Sequence, residues 1–67
     1  MTVYEFLDLM GESFNIRKSM ATQNITKDEP VSITTIHNGS EERKAVLDAL
    51  ECEVMTVDMA EGTIYCE

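Results

Sequence analysis

A chain of 67 residues with thirteen Asp and Glu against five Lys and Arg has a formal net charge of −8. That balance repels nucleic-acid phosphates and anionic membrane surfaces, so both are set aside as partners. The length allows one domain, residues 1–67, and a core this small rarely supplies more than about 3–5 kcal/mol.

The spacing predicts a helix over residues 2–10. Thr2 is an N-cap candidate and Glu5 lies three residues on, the pattern of a capping box. Val3, Phe6, Leu7 and Met10 recur at steps of three and four and share a face, and Gly11 marks the stop. Residues 13–23 alternate, with Phe14, Ile16 and Met20 on one side, which predicts a half-buried strand. Lys18 falls on the apolar side, which suggests an edge position.

Residues 24–30 read as a loop closed by Pro30. Val31-Ser32-Ile33-Thr34-Thr35-Ile36 is rich in β-branched residues and predicts a second strand, hence a hairpin. Asn38-Gly39 turns the chain, and Ser40 is placed to cap a helix over roughly 40–50. Glu41 and Glu42 then occupy its first turn, where the helix dipole favours them. Ala45, Val46, Ala49 and Leu50 form its apolar face. A second hairpin follows, with Ala60-Glu61-Gly62 as the turn. Apolar residues on both sides of residues 54–57 suggest a strand that is central or covered on both faces.

The expected fold is α+β in the order α-β-β-α-β-β. Its sheet is four-stranded and mainly antiparallel, with two helices packed on one face. Phe6 and Val54 are expected to be buried.

Few residues offer chemistry. His37, the single histidine, has no nucleophile or carboxylate at a telling spacing and reads as a surface turn residue. Cys52 and Cys66 match no zinc spacing. A hairpin centred on Gly62 sets Cys66 opposite residues 55–57, with Cys52 several residues away, so two reduced thiols are expected rather than a disulfide. Their neighbours Glu51, Glu53 and Glu67 do not favour a thiolate nucleophile. Arg17, Lys18, Arg43 and Lys44 lack interleaved aromatic residues for stacking bases. Neither an enzyme nor a cofactor or metal site is expected.

The acidic distribution is more telling. No basic residue follows Lys44, while Asp48, Glu51, Glu53, Asp58, Glu61 and Glu67 all do. These six are the candidate partner-binding residues, an electronegative surface for a basic protein.

The opening Met1-Thr2-Val3-Tyr4-Glu5-Phe6-Leu7 and the close Asp58-Met59-Ala60-Glu61-Gly62-Thr63-Ile64 carry a resemblance. They are similar to the capped M-T-V-x-E-F-L helix and D-x-x-x-G-x-[IL] hairpin of small acidic proteins from gut Firmicutes, their phages and mobile elements. The resemblance spans both ends of the chain and only loosely the middle, and Met20-Ala21-Thr22-Gln23 departs from the more charged strand of that set. It implies a fold pattern and a genomic setting, and it brings no active site.

The expectation is a cytoplasmic, non-enzymatic interaction module, in a bacterium or a phage-infected host. It would be an accessory or inhibitor binding a host protein through its acidic surface. The alternatives are a self-associating structural module, a homo-oligomer, or an anti-CRISPR-type inhibitor that imitates nucleic-acid charge.

Overall fold

The computed structural model describes residues 1–18 and 23–67 and shows an α+β fold. Helix α1 spans Val3–Met10. Its start is the capping box read from the sequence. Thr2 Oγ1 accepts the Glu5 N–H at 3.1 Å, and Glu5 Oε1 accepts the Thr2 N–H at 2.8 Å. Gly11 ends the helix at φ +68°, a conformation glycine adopts without Cβ strain, and donates its N–H to the Leu7 carbonyl.

The next elements are strands β1, Asn15–Lys18, and β2, Gln23–Asn24. They pair antiparallel, with Arg17 opposite Asn24. The expected apolar position of Met20 lies outside the described residues. Beyond β2 the ladder continues through a side chain. Thr26 Oγ1 accepts the Ile16 N–H at 2.8 Å and donates to Asn15 Oδ1 at 3.0 Å.

The predicted strand over 31–36 is instead helix α2, Ile33–His37. Only Val31 keeps an extended pairing, a two-way backbone bridge with Phe14. Ser32 caps α2: its Oγ accepts the Thr35 N–H, and Thr35 Oγ1 accepts the Ser32 N–H. This reciprocal cap satisfies two orphan donors and outweighs the β-branched preference over a single turn.

Helix α3, Lys44–Ala49, is shorter than predicted. Ser40 does not cap it; its N–H is bonded to Asn38 Oδ1. Arg43 stands at the N-cap without a side-chain cap, and Glu41 and Glu42 precede the helix rather than occupying its first turn.

Strands β3, Val54–Asp58, and β4, Thr63–Cys66, form the closing hairpin. The sheet order is β2-β1-β4-β3: three strands of four or five residues, with the two-residue β2 at one edge. Three expectations are corrected here. The sheet is mixed, because β1 and β4 pair in parallel, with Ile16 beside Ile64 and Lys18 beside Cys66. The chain reaches that pairing by crossing over through α2 and α3, as a parallel pair requires. Lys18 stands on an interior strand, flanked by β2 and β4. Strand β3 lies at an edge. Its two-sided apolar pattern comes from a bulge between Val54 and Thr56 that leaves Met55 exposed.

One core joins these elements. Ile16, Ile64 and Cys66 from the sheet meet Val3 and Leu7 of α1, Val46 and Ala49 of α3, and Phe14, Val31 and Leu50. Among the described residues three helices, rather than two, accompany the sheet. Phe6 and Val54 are half-buried at the margin of this core, not within it. Among the described residues every buried side-chain nitrogen or oxygen has a hydrogen-bond partner, and no helix is long and apolar enough to cross a membrane.

Candidate functional site

The six acidic candidates are placed by α3 and the β3–β4 hairpin, and they divide into separate groups. At one end of the hairpin, Glu53 and Glu67 exchange two backbone hydrogen bonds at 3.0 Å each. That pairing sets their carboxylate-bearing residues side by side, with Glu51 in the turn that leads into the strand. At the other end, Asp58 Oδ1 accepts the Glu61 N–H at 3.1 Å, so Asp58 braces the turn. Five residues of extended chain separate Glu53 from Asp58, about 16 Å. Asp48 stands apart on α3, paired with Lys44 at 3.2 Å in an exposed i,i+4 bridge, a contact worth about 0.3–0.5 kcal/mol.

Glu53 is also engaged. Its Oε2 lies 2.9 Å from the Met1 amino group. The hydrogen bond to Glu53 and its charge raise the amine above its ordinary value. Residues 1–3 run along the outer side of the start of β3, with Val54 N–H bonded to the Met1 carbonyl and Val3 N–H bonded to the Cys52 carbonyl. Glu51, Glu61 and Glu67 are exposed and take part in none of the ion pairs among the described residues.

The cations lie elsewhere. Arg43 clamps two loops: its Nε and Nη2 hold both Glu41 oxygens at 2.8 and 3.0 Å, while Nη1 and Nη2 reach the Glu29 carboxylate and carbonyl. The Glu41 side chain is 8% exposed, and the Arg43 hydrogen bonds hold its carboxyl below the usual carboxylate range. Arg17 and Lys18 stand on β1, and Lys27 follows β2. With the order β2-β1-β4-β3, Arg17, Lys18 and Lys27 lie on the β1–β2 half, where Asp28 and Glu29 offset part of their charge, while Glu51, Glu53, Asp58, Glu61 and Glu67 lie around the β3–β4 hairpin with no Lys or Arg among them. The molecule is therefore electrostatically polarised across its sheet.

Sequence reasoning missed several contacts. His37 is the last residue of α2, and its Nε2 is 2.6 Å from Tyr4 Oη on α1. Parallel pairing puts Arg17 beside Tyr65. The Glu41-x-Arg43 spacing was the visible signal for the clamp, because an extended tripeptide brings such side chains together. Nothing in the sequence signalled the Tyr4–His37 pair, which depends on the packing of two helices.

The cysteines also differ from expectation. Both are free thiols, but Cys66 pairs with Val54 rather than with residues 55–57, which brings Cys52 next to it. Burial, together with its neighbour Cys52, pushes the Cys66 thiol up to about 11. Among the described residues no cavity is present, and no group of three or more His, Cys, Asp or Glu is arranged to hold a metal ion. No known family, curated protein or solved structure matches this chain.

Proposed function

We propose that this protein is a non-enzymatic interaction module that binds a basic surface of another protein through its acidic second hairpin. The observation that supports this reading best is the polarised charge. The β3 side of the sheet carries Glu51, Glu53, Asp58, Glu61 and Glu67 with no basic residue following Lys44. Such a field steers a cationic partner and fixes its orientation more than it adds raw affinity. The resemblance to small acidic phage and mobile-element proteins favours a host protein as the target and an accessory or inhibitory role, including imitation of nucleic-acid charge.

The part of the β3 edge beyond the stretch covered by residues 1–3, with exposed Met55 and Met59 beside it, favours self-association as the second reading. A net charge of −8 on each copy opposes it.

The test compares capture of a host protein from bacterial lysate by the native chain and by a Glu51→Lys, Glu61→Lys, Glu67→Lys variant. This set leaves the Glu53 pair with the amino terminus intact. Binding is expected to be lost in the variant and to fall steeply as salt rises, with a monomer in sedimentation. Unchanged capture by a folded variant would remove the acidic hairpin as the binding surface. A dimer or tetramer that retains no partner would favour self-association instead.

A further inference from the structure

We propose that Cys52 and Cys66 form a redox-responsive thiol pair, which a peroxide closes to a disulfide linking the bend before β3 to the end of β4. The inference rests on the sheet register and not on the acidic-surface reading. Val54 faces Cys66, and Glu53 exchanges backbone bonds with Glu67. Cys52 and Cys66 therefore share one face of the hairpin, a single diagonal step apart. Diagonal Cα atoms in a ladder lie about 7–8 Å apart with Cβ atoms closer, just beyond the separation a disulfide spans. Cys52 lies in the bend two residues before β3, its N–H bonded to the Ala49 carbonyl and its carbonyl to the Val3 N–H, so closing the gap requires a shift of that bend. Cys66 belongs to the apolar core and Cys52 packs against the same cluster.

The two sulfurs differ in exposure, with an accessible thiol beside a buried one that can resolve it. Cys52 is partly exposed and Cys66 is fully buried. Burial and the neighbouring thiol keep Cys66 protonated, while the Lys18 charge works in the opposite direction. Cys52 is thus the sulfur a peroxide meets first. Its thiolate attacks a peroxide oxygen, the O–O bond breaks, Cys52 becomes a sulfenic acid, and the departing hydroxide takes up a proton to form water. The Cys66 sulfur then attacks the Cys52 sulfur and the S–O bond breaks. The Cys66 proton leaves with that hydroxide as a second water. Two thiols are oxidised to one disulfide and one peroxide is reduced to two waters.

The test oxidises the folded protein with hydrogen peroxide, and in parallel with diamide, which spares methionine. Cleavage before Asp48 and Asp58 without reduction then separates peptides 48–57 and 58–67, one cysteine in each. A linked peptide two hydrogens lighter than the sum, from a monomer with native circular dichroism, is the expected result. Oxidation of Cys52 alone, a Cys52–Cys52 dimer, or a link that forms only in denaturant would overturn the proposal. In a Cys52→Ser variant, Cys66 is expected to stay reduced under the same treatment. Its oxidation at the native rate would overturn the assigned order of attack.

Discussion

Thr26 shows how much a single hydroxyl can decide. It is 2% exposed and stands where β2 has already ended, yet it supplies the acceptor for the Ile16 N–H in the middle of β1. Replacing it with the near-isosteric valine keeps the shape and leaves that N–H without a partner. Thr26→Val is expected to lower stability by about 1–3 kcal/mol, and Thr26→Ser by much less; urea unfolding of both variants measures the difference. The clamp around Arg43 is the other residue-scale device. Its planar fork holds Glu41 bidentately and reaches Glu29, a geometry that lysine's single ammonium cannot reproduce. The Glu41-x-Arg43 spacing was visible in the sequence, but the role of Thr26 was not, because a polar residue in a turn region reads as solvated.

The helices illustrate how local chemistry competes at the scale of elements. Helix α1 was legible nearly to the residue, since its cap, its apolar face and its glycine stop agree. Over 31–36 two local signals conflicted. Four β-branched residues in Ile33-Thr34-Thr35-Ile36 favour a strand, while Ser32 and Thr35 can cap each other three residues apart. The helix also turns Ile33 and Ile36 toward the core together, as residues three apart allow. A helix of five residues depends heavily on its cap. Ser32→Ala is therefore expected to cost about 0.5–2 kcal/mol, seen as a lower melting temperature with loss of helical circular dichroism confined to that turn.

At the scale of the whole molecule, the decisive choice is which strand lies beside β1. The parallel β1–β4 pairing buries Ile16 against Ile64 and makes β4 the most buried strand. It also sends β3 to the edge and leaves the closing hairpin's carboxylates without a Lys or Arg among them, apart from the β1 cations Arg17 and Lys18. The core that results is centred on Leu7, Ile16, Ile64 and Val46, with Phe6 and Val54 at its rim. Leu7→Ala is accordingly expected to cost about 2–5 kcal/mol, close to the whole stability of so small a domain, whereas Phe6→Ala costs less. Equal losses from both, in calorimetry, would mean that Phe6 is as deeply packed as Leu7. The edge position of β3 is protected by its bulge and by the acidic residues at either end, the devices that discourage edge-to-edge pairing.

The sequence by itself determined the α+β class, the first helix with its caps, the closing hairpin and the acidic character of the last third. Each of these follows from interactions between residues a few positions apart, or from composition, and both are readable along the chain. Only the tertiary structure decided the helical state of 33–37, the parallel pairing of β1 with β4, the edge position of β3 and the adjacency of Cys52 and Cys66. Those depend on which distant apolar surfaces meet and in what register, and a shift of one or two residues in a hairpin moves every cross-strand neighbour. The expected separation of the cysteines failed for that reason: pairing Cys66 with Val54, instead of with residues 55–57, brought two thiols together.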